Sequence, residues 1–143
     1  MNFEFATSEQ ILFGNGSLEK IGALCTRFGK RVIVISGSGS VSISGLMTFL
    51  KNEGLDVETY PVTHEPDIDL INEGIEKGKA HESDFVIGFG GGAVIDTAKA
   101  VAAMLTNPGE LLDYLEVIGG GQKIPNRPLP LSLIHISEPT RPY

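Results

Sequence analysis

The sequence predicts an α/β fold, a parallel sheet with helices packed on both of its faces. Three observations lead there. Continuous apolar runs at residues 32–35 and 85–87 suit strands covered on both sides, and residues 55–60 give another strand. Between them, apolar residues return every three or four positions, the helical period. The order strand, helix, strand, helix, strand, helix then calls for parallel pairing and right-handed crossovers. Ligands of such folds bind beyond the carboxyl ends of the strands. The turn at residues 36–40 (SGSGS) and the turn at residues 90–92 (GGG) would both lie on that edge.

Taken in order, Phe3 and Phe5 flank Glu4, and Ile11, Leu12 and Phe13 follow after Ser8. This predicts a short N-terminal β-hairpin. Leu18, Ile21, Leu24 and Cys25 share a face and predict a helix that Ser17 can cap and Gly29 ends. Cys25 on that face reads as a core residue, not a nucleophile. After the strand at 32–35, Ile43, Leu46, Met47 and Leu50 mark a second helix, with Gly54 at its end. The strand at 55–60 is expected to stop at Pro61. Asp67 and Asp69 sit where a helix start favours negative charge, and Ile68, Ile71 and Ile75 carry that helix on. Ser83 and Asp84 lead into the strand at 85–87, the glycines Gly88, Gly90, Gly91 and Gly92, and a helix over 93–105.

Beyond Asn107 the pattern weakens. NPGE makes a turn, LLDYLEVI a short helix or bent segment, and residues 119–130 a loop. The second glycine triplet, Gly119, Gly120 and Gly121, has no strand before it and no helix after it, so it reads as loop and not as a second phosphate site. Residues 131–136 are apolar and partly β-branched and can pair as a strand.

The chain has 143 residues, 41% hydrophobic and 20% charged, a composition that fits one soluble globular domain. A formal net charge of -7 argues against a nucleic-acid-binding surface. The single cysteine excludes an internal disulfide and a cysteine zinc cluster. The first ten residues lack the basic and apolar segments of a signal peptide, and no apolar run is long enough to span a bilayer, so a cytoplasmic address is expected.

The stretch FVIGFGGGAVIDTAK (residues 85–99) carries the chemistry. The first N–H groups of a helix lack intrahelical partners and make an anion site. Each glycine there forfeits about 0.5–1 kcal/mol of chain entropy relative to alanine. Three in a row make sense if a phosphate must approach bare backbone. Gly88, Gly90 and Ala93 formally match G-x-G-x-x-A, a weak signal in the wrong strand–helix unit for the usual dinucleotide fingerprint. No Gly-Lys-Ser/Thr follows, so the Walker loop fails. The more informative pattern is GGG-x-x-x-D-x-x-K, which sets Asp96 and Lys99 on one helix face. The pair is either a solvated ion pair or the border of a ligand, and the adjacent triplet favours the second reading.

With these residues in view, the chain resembles the iron-containing (group III) alcohol dehydrogenases, relatives of glycerol dehydrogenase and dehydroquinate synthase. The resemblance spans roughly residues 3–130 and rests on FEFATSEQILFGNGSL, VIVISGSGS and above all GFGGGAVIDTAKAVA. The family pattern is GGGS-x-x-D-x-AK, and Ala93 stands where serine is usual. A dehydroquinate synthase-like or glycerol dehydrogenase-like enzyme is the nearest alternative, and Lys99 speaks for the dehydrogenase branch. A receiver-type module is a poor fit, because Ser36 and Gly37 stand where its acidic cluster would lie.

The resemblance implies a Rossmann-like domain that binds NAD or NADP. Gly90, Gly91, Gly92 and Ala93 would hold the pyrophosphate, Asp96 would border the nicotinamide side, and Lys99 would support the turn. Gly37 and Ser38 would approach the adenosine ribose. No aspartate stands in that turn, so NADP is admissible as well as NAD. The implied substrate is a small alcohol or aldehyde, and homodimers are common among the relatives. In the family a helical C-terminal domain supplies one aspartate and three histidines to divalent iron or zinc. His64, His81 and His135 lack such spacing and read as surface histidines, so no metal ligand and no catalytic residue is assigned here. The expectation is therefore a cofactor-binding N-terminal domain over residues 1–131, without the C-terminal helical metal domain. Residues 132–143 (SLIHISEPTRPY) read as a foreign, adapter-like or vector-like tail. Such a fragment would bind cofactor weakly and show little or no catalysis.

Overall fold

The computed structural model describes residues 8–38 and 43–135. The predicted strand around Phe3 and Phe5, the far part of the 36–40 turn and the segment from 136 lie outside the described residues.

Among the described residues four strands form one parallel sheet: β1 (Arg31–Gly37), β2 (Asp56–Val62), β3 (Phe85–Gly90) and β4 (Leu131–His135), in the order β2-β1-β3-β4. The register sets Val34 beside Thr59 on one side and Ile87 on the other, and Gly88 beside Leu133. The helices are α1 (Ile21–Cys25), α2 (Ser44–Asn52), α3 (Ile68–Ala80), α4 (Gly92–Met104) and α5 (Leu111–Tyr114).

Alternation along β1 divides its side chains between two cores. Ile33 and Ile35 pack with Val86, Tyr60 and the apolar residues of α3, α4 and α5. Val32 and Val34 pack on the opposite face with Phe85, Ile87, Cys25 and the α2 residues Leu46 and Leu50. The sheet is thus covered on both faces, as expected. Burial pushes the Cys25 thiol up to about 11, so it stays protonated at neutral pH and serves as a small apolar side chain.

Local chemistry accounts for the element ends. Asp67 caps α3, its carboxylate accepting from the Leu70 N–H at 2.8 Å. Ser17 does not cap a helix: it lies in a 3-10 turn (Ser17–Lys20), and its hydroxyl donates to the Gly14 carbonyl. Pro61 does not stop β2, which runs on to Val62. β2 is the sheet edge, so the missing N–H of Pro61 can face away from β1 at no cost in ladder bonds. The second strand of the predicted hairpin is absent as well. Residues 11–13 have no regular structure, and Phe13 is fully exposed at 101%. An apolar triplet forms a strand only against a partner, and none of the described residues pairs with it.

Gly88 belongs to β3 and not to the turn that follows. A Cβ there would lie 2.9 Å from the Ala98 Cβ and 3.0 Å from the Leu133 Cδ2, so its missing side chain lets α4 settle against the sheet. The second triplet is loop, as expected, and is tied back onto α5: the Gly120 N–H donates to Leu112 and the Gly121 N–H to Leu115.

At the amino edge, Asp84 joins two turns. Its carboxylate accepts from the Arg31 and Lys30 N–H groups, each at 2.9 Å, and lies 3.6 Å from the Arg31 guanidinium. The Arg31 N–H bond, then the Lys30 bond and the nearby positive charge hold this carboxyl below its ordinary value of 3.8. Asp84→Ala is expected to cost about 1–2 kcal/mol at neutral pH, from two unpaired donors. A depressed folded pKa means that the contribution is complete above the ordinary value and disappears as pH falls through the depressed one. In urea melts the gap between wild type and variant should therefore close below about pH 4. A gap of constant size down to the acid limit would exclude this role for the carboxylate.

Candidate functional site

The carboxyl ends of β1 and β2 and the start of α4 enclose an open cleft of about 340 Å³. Gly37 and Ser38 come from β1 and its turn, Val62 to Glu65 from the end of β2, and Gly91, Gly92, Ala93 and Val94 from α4. The Ser38 N–H donates to the Val62 carbonyl at 3.3 Å, which holds the first two walls together.

The glycine triplet performs two separate tasks. A Cβ on Gly90 would meet the Val94 side chain at 2.8 Å and the Gly37 nitrogen at 3.4 Å, so Gly90 allows β3 to close against β1. A Cβ on Gly91 or Gly92 would meet no described atom within 4 Å beyond its chain neighbours and its own helix backbone, and both residues line the cleft. Packing among the described residues gives no reason for glycine at these two positions. Gly91 is in an extended conformation (φ -85, ψ -165) open to any residue. The start of α4 has no side-chain cap, in contrast to α3, and its first backbone bond runs from the Ile95 N–H to the Gly91 carbonyl. The N–H groups of the first turn thus have no intrahelical or side-chain partner among the described residues.

Of the residues singled out from sequence, Gly37, Ser38, Gly91, Gly92 and Ala93 meet at the cleft, and Gly90 underlies it. Asp96 and Lys99 sit apart, outside the cleft lining. They face each other on α4 at 3.4 Å with side chains 66% and 57% exposed, the geometry of a solvated ion pair.

Sequence reading missed Thr63, His64 and Glu65 as cleft residues. The signal was their place just past the end of β2, on the same edge as the two glycine turns. His64 is clamped at both ring nitrogens: Nδ1 lies 3.0 Å from the Thr63 hydroxyl and Nε2 lies 3.1 Å from the Asp67 carboxylate. The Leu70 N–H, followed by the His64 bond, holds the Asp67 carboxyl below its ordinary value. The β2–α3 loop is therefore fixed by the same carboxylate that caps α3.

Among the described residues no group of three His, Cys, Asp or Glu side chains could hold a metal ion. The residues described do not fit an iron or zinc centre. They do fit a diphosphate, because Gly91 and Gly92 leave open the volume that a side chain would fill beside an uncapped helix start.

Sheet order, two-sided core and carboxyl-edge cleft define a Rossmann-like α/β domain. The profile of the iron-containing alcohol dehydrogenases matches residues 8–137, and the chain belongs to that family. It is 35% identical over 117 residues to "Probable NADH-dependent butanol dehydrogenase 2" of Bacillus subtilis, covering 78% of this chain and 30% of that protein. It is 31% identical over 117 residues to an NADPH-dependent butanol dehydrogenase of Clostridium saccharobutylicum, covering 78% of this chain and 29% of that one. The crystal structure of NADH-dependent butanol dehydrogenase A from Thermotoga maritima superimposes with a TM-score of 0.79 at 29% identity, over 92% of this chain and 34% of the other. The chain spans about a third of the length of these relatives.

Proposed function

We propose that this chain is the nicotinamide-dinucleotide-binding part of a metal-dependent alcohol dehydrogenase acting on a small alcohol or aldehyde. The observation that carries the reading is the pair Gly91 and Gly92: glycines that no described neighbour requires, at an uncapped helix start, on the wall of a cleft. Family membership supplies the reaction class.

In this reading the N–H groups of the first α4 turn bind the diphosphate, and the positive end of the helix dipole favours its charge. Gly37 and Ser38 form the facing wall and orient the adenosine half. A bound nicotinamide supplies the hydride acceptor or donor. Asp96 and Lys99 pair on α4 outside the cleft lining; Asp96 would border the nicotinamide side and Lys99 would support the turn. Metal ligands and catalytic groups belong to parts of the longer relatives that this chain does not match, so no catalytic residue is assigned. Every described cleft residue lies within residues 1–131, and residues 132–143 are given no functional role.

Adding NADH to the isotope-labelled chain is expected to shift the amide resonances of Gly91, Gly92 and Ala93 first, with Gly37 and Ser38 following. Shifts confined to other surfaces would remove the cleft from the proposal. Sustained alcohol oxidation by this chain alone would contradict the assignment of the catalytic groups elsewhere.

A further inference from the structure

We propose that Glu65 reads the adenosine ribose of the dinucleotide and sets a preference for NAD over NADP. The proposal rests on the cofactor assignment above.

The cleft extends from Gly91 and Gly92, past Gly37 and Ser38, to Thr63, His64 and Glu65. Because β1 lies between β3 and β2, this path crosses two strand spacings, roughly 10 Å. That is the reach from a diphosphate to the ribose and base attached to it. A ribose lying over β1 and β2 presents two vicinal hydroxyls, and a carboxylate is the side chain that accepts from both while rejecting a phosphate at the 2′ position.

Dinucleotide folds commonly carry that acid at the end of the strand next to the phosphate-binding unit. Here the end of β1 and the start of the turn after it offer Ser36, Gly37 and Ser38, with no acid. The carboxylate stands one strand further out. Glu65 is the sole acid among the described residues lining the cleft, and it makes no hydrogen bond or ion pair to any described residue. Its neighbours are already committed. Thr63 and Asp67 hold both ring nitrogens of His64, and Asp67 also caps α3. The clamp fixes the loop that carries Glu65, and the Asp67 carboxylate offsets any positive charge that His64 could turn toward a 2′-phosphate. Asp69 adds a further negative group on the first turn of α3. The electrostatics of this end of the cleft thus oppose NADP, which the acid-free turn after β1 by itself would admit. Named relatives include both an NADH-dependent and an NADPH-dependent enzyme, so family membership does not decide the matter.

The test is a calorimetric titration of the chain with NADH and with NADPH, for wild type, Glu65→Gln and Glu65→Ala. Wild type should bind NADH about tenfold more tightly, the scale of one like-charge contact near a protein surface. Glu65→Gln keeps the shape and removes the charge. It should bring the two affinities within about twofold, chiefly by strengthening NADPH binding. Glu65→Ala should narrow the ratio as well and weaken NADH. An unchanged ratio in Glu65→Gln with NADH binding intact, or a wild-type preference for NADPH, overturns the role of Glu65 and leaves the cofactor assignment standing. Failure of wild type to bind either nucleotide overturns both.

Discussion

Gly91→Val is expected to weaken NADH binding by about 100-fold and to leave the thermal midpoint within about 2 °C of wild type. The two halves of this expectation come from the same geometry. Beyond the chain neighbours, no described atom lies within 4 Å of a Cβ at position 91, and its backbone is extended, so valine meets neither a clash with the described residues nor a forbidden conformation. Its methyl groups would instead project into the cleft beside the first turn of α4. A diphosphate displaced there loses one or two charge-assisted bonds to backbone N–H groups, each worth about 1.5–3 kcal/mol. Calorimetric titration and a thermal melt on the same sample check both halves. Undiminished affinity would place the diphosphate elsewhere, and a large loss of stability would mean that Gly91 is a packing glycine after all.

This separation of affinity from stability marks where sequence reading works and where it stops. The alternation of 32–35, 55–60 and 85–87 with helical spacing suffices to give the sheet and its helices, because a buried strand and an amphipathic helix each leave a local period. The edge that holds the cleft follows from topology alone. What one dimension does not reveal is the neighbour across the sheet. Gly88, Gly90, Gly91 and Gly92 look alike as letters, yet Gly88 and Gly90 answer to Ala98 and Val94, while Gly91 and Gly92 answer to no described side chain. Ile11, Leu12 and Phe13 have the composition of a strand and lack the partner that would make them one. Pro61 ends a strand in general but is tolerated on the edge strand, and the strand order decides which strand that is. Thr63, His64 and Glu65 carry no glycine signature. They become cleft residues through the carboxyl end of β2, which sets them beside Gly37 and Ser38.

Gly88→Val is expected to behave in the opposite way and to destabilise the chain by about 3 kcal/mol or more, lowering the thermal midpoint by about 10 °C. A Cβ at position 88 already falls 2.9 Å from the Ala98 Cβ, a short, stiff neighbour on α4, and 3.0 Å from Leu133 on β4. Leu133 is 41% exposed and can swing outward, whereas Ala98 is fully buried and can yield only if α4 moves. The cost is therefore borne by the seat of α4 on β3, and a double-mutant cycle should show it. In Gly88→Ala, adding Ala98→Gly should restore part of the lost stability, although glycine within a helix costs about 1 kcal/mol by itself. Additivity without coupling would mean that the strain is relieved at Leu133 and that α4 stays in place. The same displacement has a functional consequence. The seat of α4 on Gly88 fixes where its first turn opens into the cleft, so Gly88→Val should also lose NADH affinity, though its side chain faces the core. Loss of binding without loss of stability at position 91, and loss of both at position 88, would together show that one helix is aimed at its ligand by the missing side chain beneath it.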